Sequence, residues 1–484
     1  MSQINQRMAT GIVWMIGARL TDRAIGMVST LLLARLLAPD DFGLVAMATA
    51  IGGMLDLLGS FSFDLALIQK QNASRRHYDT VWTLNVIFGL LCCAAMVALA
   101  VPAAQFYREP RLSTVMYVLS LMYLVNAFAN VGVVNFRKEL NFRQEFIFIF
   151  ARRLVTFTIT VGAALLLHSY WALLLGMCIG RCVTVAMSYM MNDYRPWFSL
   201  AAVRELFHFS KWMLLNNALG FLRHDGCTFI IGRQFGAAGL GVYSVSYEIS
   251  NLPSTELVAP INRVTFPGFA KMAEPALIRA SYFRLLGMIA LLILPVGIGI
   301  ASVAEPLVLA MLGDKWLQAP GLIAILAISG AICATQTNNA SVWLALGRPR
   351  QVAVVQAVYL AVLFPSLYFF MQRDGIVGAG YAYLCAQLVD VAMEMSASRR
   401  MLDFAWRDVL AVVWRPLLGV TLMYLAVRWL DHRLLDWHPW PRLLVDAAAG
   451  AAVYIASVVG LWWLSARPNS AEHFCLQRLK VLPA

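Results

Sequence analysis

The sequence predicts an all-α polytopic membrane protein of about fourteen transmembrane helices. Three observations carry that prediction. Of the 484 residues, 60% are hydrophobic against ~45–50% in soluble domains, and only 13% are charged against ~25%. Mean hydropathy is +0.69. Apolar stretches of about 20 residues, enough to cross a ~30 Å hydrocarbon core, recur along the whole chain. So much apolar surface requires lipid as its solvent. The same figures exclude a soluble multidomain protein, a disordered chain and a disulfide-stapled secreted scaffold.

The expected spans run in order Gly11–Leu37, Gly43–Ile68, Thr80–Ala104, Ser113–Asn135, Phe146–Leu167 and Tyr170–Met191. A second set follows at Ser210–Arg233, Gly239–Phe269, Ser281–Ala304, Gln318–Leu346, Gln351–Met371 and Val377–Ser398. Two more lie at Val409–Leu430 and Leu443–Leu464. The first is expected to stay in the membrane rather than be cleaved as a leader, because the segment after Arg7 is too long for one and carries Arg19, Asp22 and Arg23. No connection is long enough for a soluble domain. The organisation expected is a six-helix lobe over residues 1–198, a second over 199–408, and two further helices with a tail over 409–484.

Net charge is +12. In a soluble protein that would suggest nucleic acid, but in a polytopic one Lys and Arg collect in cytoplasmic loops, so no nucleic-acid partner is expected. With the N-terminus inside, the inward segments carry more than twice as many Lys and Arg as the outward ones. Both termini are therefore expected in the cytoplasm. All of the eight cysteines but Cys475 fall in apolar stretches, and Cys178 and Cys182 share a face without a His or carboxylate at ligand spacing. Neither a metal site nor a cofactor is expected.

Asn192–Phe209 reads as the hinge between lobes. Pro196 and the Trp197–Phe198 pair precede a short amphipathic helix that Ser199 could cap, with Leu200, Val203, Leu206 and Phe207 on one side. A similar passage, Asp403–Leu410, follows the twelfth span. The turns after spans one and seven also match. RLLAPDDFGL (Arg35–Leu44) and RQFGAAGLGV (Arg233–Val242) align Arg35 with Arg233 and Gly43 with Gly241, a constant offset of 198. Six spans separate the copies, so both fall on one side of the membrane. Two bundles related by an axis along the membrane normal follow, a transporter layout with its site between lobes.

ARLLAPDDFGLVAMA (Ala34–Ala48) resembles the polysaccharide transporter family, the Wzx-type O-antigen and exopolysaccharide flippases of the MOP superfamily. GDKWLQA (Gly313–Ala319) and LGRPRQV (Leu346–Val352) extend the likeness, which covers essentially the whole chain. The resemblance implies movement of an undecaprenyl-pyrophosphate-linked oligosaccharide from the cytoplasmic to the periplasmic leaflet. It further implies a bacterial inner-membrane location, lipid-linked oligosaccharide and membrane lipids as partners, the glycan polymerase and export machinery as neighbours, and a proton or sodium gradient.

Charges inside spans cost roughly 2.5–3.5 kcal/mol each on insertion scales and so face a cavity or a partner. Arg19, Asp22, Arg23 and Gly26 share one face of the first span, and Thr49, Gly53, Asp56, Ser60 and Asp64 one face of the second. Their counterparts are Asn216, Asn217, Gly220, Arg223 and His224, then Glu248, Asn251, Thr255 and Asn262 with Arg263 adjacent. Arg19, Arg23, Asn217, Arg223 and Arg263 are the expected substrate-binding residues, because a guanidinium grips pyrophosphate or sugar carboxylate bidentately and keeps its charge. Asp56, Asp64, Glu248 and Asp390 are the candidates for ion coupling. The plainer account pairs Asp22 with Arg19 or Arg23, and Asp225 with Arg223, within one lobe. Asn126, Asn130, Asn338 and Asn339 suit interhelical hydrogen bonds or sugar contacts. Pro253, Pro260 and Pro267 recur every seven residues and suit a bent helix on a cavity. The last two spans carry few such charges and many Trp, an interfacial belt.

An enzyme such as a glycan polymerase or ligase would need a large outward loop, and the outward loops are short. No HExxH motif or nucleotide-binding loop is present, so no catalytic residues are expected and direct ATP use has no machinery. A drug or cation antiporter of the same superfamily is the alternative transporter, opposed by the arginines inside the spans. A nonenzymatic scaffold would leave the buried charge unexplained.

Overall fold

A computed structural model describes residues 21–59, 74–138, 141–203, 225–254 and 274–465, with scattered positions between and beyond them. Among these residues every regular element is helical. Eight helices among the described residues are long and apolar enough to cross a membrane. The chain divides into two compact units, Met1–Val242 and Tyr243–Ala484.

The first unit opens with α1 (21–36) and α2 (Pro39–Gly59), whose first turn holds Asp40 and Asp41. Asp41 accepts hydrogen bonds from the Ala38 N–H at 3.0 Å and the Tyr170 N–H at 2.8 Å, tying this turn to the start of a distant helix. Helices α3 (Arg75–Tyr107) and α4 (Arg111–Ala127) pack as a pair, with Gly89 directly against Ala127. Helices α5 (Phe142–Leu167) and α6 (Trp171–Met190) form a second pair. There Gly176 and Gly180 meet Thr160 and Thr156, the small-residue packing that lets membrane helices approach closely.

One expectation needs correction here. The fourth span ends at Ala127, not Asn135, and a 3-10 turn follows over Val131–Val134. Asn130 caps that turn by accepting from the Gly132 N–H at 2.8 Å, while its own N–H donates to the Ser188 hydroxyl at 2.9 Å. Its amide also donates to the Tyr194 carbonyl, so its hydrogen bonds are structural. Ser199 accepts from the Ala201 N–H at 3.4 Å at the turn that leads into Val203, in keeping with the cap expected there, and the segment from α6 to Leu200 carries no helix. Polar groups on α3 hold it open: the Trp197, Ser199 and Ala202 N–H groups donate to Asp79, Thr83 and Thr80. Leu206 and Phe207 lie outside the described residues.

The seventh and eighth spans meet as two arms, α7 (226–235) and α8 (237–253), across Gly236. Its φ of 66° is a conformation only glycine adopts without strain. The boundary between the units falls early in α8.

The second unit continues with α9 (Pro275–Ser302), a short helix Ala304–Met311, α10 (Ala319–Ala345), α11 (Pro349–Asp374), α12 (Val377–Leu402), α13 (Trp406–Arg433) and α14 (Pro439–Leu464). The two supporting motifs are corners. In GDKWLQA, Gly313 takes a φ of 89° and Trp316 is fully buried; in LGRPRQV, Gly347 takes 69° and Pro349 starts α11. A buried network binds α9, α10 and α12. Asn339 accepts from Tyr282 and Ser398, both at 2.8 Å, and donates to Glu394 at 3.0 Å.

Candidate functional site

The polar face of α2 opens onto a cavity in the first unit. Thr49, Gly52, Gly53 and Asp56 line it from α2, Tyr123 and Asn126 from α4, and Arg181 from α6, around ≈ 340 Å³. An adjoining cavity of ≈ 300 Å³ shares Asp56, Tyr123 and Asn126 and adds Asn85, Cys92 and Asn130. The Tyr123 hydroxyl donates to Asp56 at 3.2 Å, and Arg181 donates to the Asn126 side-chain amide oxygen at 3.3 Å. Asp56 and Arg181 both keep exposed surface although they lie within helices of membrane length. One wall thus offers a guanidinium, the other a carboxylate, with phenol and amide groups between. Such a set binds oxygen-rich solutes, with the guanidinium suited to phosphate or carboxylate.

Close by in sequence, Asp22 of α1 pairs with Arg153 of α5 at 3.6 Å. Gly26, one turn on, leaves room for the Arg153 guanidinium. Asp22 thus has a partner on α5, which the plainer account did not supply. Of the expected substrate residues, Arg23 is exposed on α1 and Arg223 is half-buried, whereas Arg19, Asn217 and Arg263 lie outside the described residues. Of the coupling candidates, Asp56 lines the cavity, Glu248 is exposed on α8, and Asp390 is buried on α12, where Gln387 donates to it at 3.4 Å. Asp64 lies outside the described residues. Among those residues no cluster of His, Cys, Asp and Glu suits a metal ion.

Tyr123, Arg153 and Arg181 were not singled out from the sequence. For the two arginines the available signal was a basic residue inside an apolar span, the rule already applied to the first, second, seventh and eighth. The last two spans also need correction. They hold sealed charge: Arg415 of α13 lies 3.5 Å from Glu472, a residue beyond α14, and Arg442 donates to Asp431 at 2.6 Å.

The repeated turn shows its purpose in the backbone. Gly43 packs on the carbonyl of Ala237 and the N–H of Gly241, and Gly241 packs on the carbonyl of Pro39 and the N–H of Gly43. Pro39 and Ala237 are related by the same offset of 198 as the two glycines, so the contact is reciprocal.

Residues 32–320, more than half the chain, match the family model described as polysaccharide biosynthesis protein. The chain belongs to this family. Among relatives of the polysaccharide biosynthesis family, it is similar to the lipopolysaccharide biosynthesis protein WzxC of Escherichia coli, 24% identical over 85% of each chain. It is also similar to the succinoglycan biosynthesis transport protein ExoT of Rhizobium meliloti, 23% identical over 94% of each. In fold this family member resembles the lipid II flippase MurJ in an inward closed conformation, with a TM-score of 0.72 at 11% identity, covering 94% of this chain and 100% of that one. It also resembles a multidrug resistance MATE transporter of the MOP superfamily, with a TM-score of 0.60 at 12% identity, covering 79% and 94%. These likenesses bear out the all-α polytopic fold and the polysaccharide family expected from the sequence.

Proposed function

We propose that this chain is a flippase for an undecaprenyl-pyrophosphate-linked oligosaccharide, carrying it from the cytoplasmic to the periplasmic leaflet for O-antigen, capsule or exopolysaccharide synthesis. The observation that carries the reading is the α2–α4–α6 cavity, where Arg181 and Asp56 stay open within helices of membrane length. A lipid-embedded protein gains nothing in stability from such exposed charge, so a polar cargo or ion is the reason to keep it. The names of WzxC and ExoT, which span nearly the same length, support the substrate class. The arginines inside the spans favour an anionic head over the cationic cargo of an antiporter.

In this reading Arg19, Arg23, Asn217, Arg223 and Arg263, joined by Arg181, hold the pyrophosphate and sugar. Asp56, Asp64, Glu248 and Asp390 serve proton or sodium coupling. Both termini lie in the cytoplasm, as the inward excess of Lys and Arg favours. Access alternates between the two sides, and each elementary charge moved through 100 mV supplies ~2.3 kcal/mol to bias it. The test uses purified protein in sealed vesicles given a fluorescent lipid-linked oligosaccharide on the cytoplasmic-equivalent face. Transfer to the far leaflet, slowed by ionophores that collapse the gradients, is expected. Transfer equal to that of protein-free vesicles, together with gradient-driven efflux of a cationic dye, would replace this reading by the antiporter.

A further inference from the structure

The last two helices carry a charge cluster that the proposed cargo site does not use. Arg442 of α14 donates to Asp431 of α13 at 2.6 Å and approaches Glu305 of the short helix at 3.7 Å. Four residues on from Arg442, and so on the same face of α14, stands Asp446. It is 0% exposed, and both of its carboxyl oxygens are buried without a hydrogen-bond partner. It faces Asp431. The other charges around it are few. α13 adds Arg428, half-exposed and 3.8 Å from Asp431, while His432 and Arg433 point away into exposed positions. The short helix adds Glu305, which is also half-exposed. The two arginines of α9, Arg279 and Arg284, belong to its opposite half.

Two carboxylates thus face one another with a single sealed guanidinium, already committed to Asp431. If both acids were ionised, a net negative charge would stand in a sealed interior, and an unpaired buried charge costs several kcal/mol. Two carboxyl groups in contact resolve this by sharing one proton, since a protonated acid donates the hydrogen bond that two carboxylates cannot make. We propose that Asp446 is a proton-binding site: it takes one proton from water, its O–H donates to Asp431, and Arg442 is the fixed counter-charge of the pair. Proton uptake brings Asp431, Arg442 and Asp446 from net negative to neutral and completes the packing of α14 on α13. Under the topology proposed above, the cluster sits toward the outward end of the pair and responds to the pH on that side. The site shares no residue with the cargo cavity, and it stands or falls separately from the flippase reading.

Infrared difference spectroscopy on the full chain in lipid nanodiscs tests it. At neutral pH the wild-type minus Asp446→Asn spectrum is expected to contain the C=O stretch of one protonated carboxyl group, shifted in heavy water and lost on alkaline titration. Thermal stability of the wild type is expected to fall as pH rises through that titration, and that of Asp446→Asn, which mimics the protonated acid, to stay level across it. If Asp446→Asn does not accumulate, Asp431→Asn serves. That change frees Arg442 to pair with Asp446 and should remove the same band. A difference spectrum with carboxylate bands alone, or a wild-type band that survives in Asp431→Asn, overturns the proposal.

Discussion

Two sets of intramembrane charge behave in opposite ways. In the first unit, Asp56 and Arg181 look into a cavity and hold loose, single hydrogen bonds of 3.2 and 3.3 Å. In the last helix pair, Asp431, Arg442 and Asp446 are only 4%, 3% and 0% exposed, and the bond between the first two is 2.6 Å. Cavity-facing charge stays hydrated, so its partners can be exchanged for a solute at little cost. Sealed charge must balance where it stands, because its alternative partner is hydrocarbon. Exposure separates charge that is available for binding from charge that holds helices together.

The contrast is broken most severely at Arg442. Arg442→Ala should destabilise the chain by about 3–5 kcal/mol, since it leaves Asp431 buried with only half-exposed Arg428 nearby. Loss of folded protein on fluorescence-detected size exclusion would show it; a wild-type melting profile would contradict it. Next come the glycines of the repeated turn. Gly43→Val and Gly241→Val each force bulk against backbone and should cost about 1–3 kcal/mol or more, by similar amounts, in thermal unfolding.

The cavity variants sharpen the comparison from the other side. Asp56→Asn and Arg181→Gln should change stability by no more than about 0.5 kcal/mol, as replacements of exposed groups do. Both should nevertheless abolish surface polysaccharide when expressed in a strain lacking its own copy. Unfolding of either variant, or normal export by both, would erase the distinction. The smallest effect is outside the spans. Arg111 bonds Glu109 at 2.7 Å and Asp40 at 2.6 Å, and its guanidinium holds the Glu109 carboxyl below the usual glutamate range. The stability from this pair is full above the ordinary glutamate range and is lost as pH falls through the depressed value. With Arg111 43% exposed, screening limits it to about 0.2–1 kcal/mol. Melting curves of wild type and Glu109→Gln should converge in acid and separate slightly near neutrality.

Much of this was legible in one dimension. Spans are long runs of one solvent preference, and the stripe Thr49, Gly53 and Asp56 follows from helical spacing alone. The repeat was legible because Arg and Gly recur at one offset. Partnership across distance was not. Asp22 takes a partner on α5, and Glu305 reaches a guanidinium on α14, pairs that no local period encodes. Asn130 ends α4 early because its N–H goes to Ser188, 58 residues on. In the last pair the Trp residues mark the interface, while Arg442 and Asp446 sit one turn apart on the covered face.

The turn contact carries one more consequence. Position 39 meets 241, and position 43 meets 237, so each half of the contact is the other's image. That is the geometry of an isologous dimer interface, in which one patch recognises itself, here written twice on a single polypeptide. Tethering two copies abolishes the concentration dependence of their encounter and frees each to diverge everywhere except where they touch. The glycines mark the place where that freedom ends.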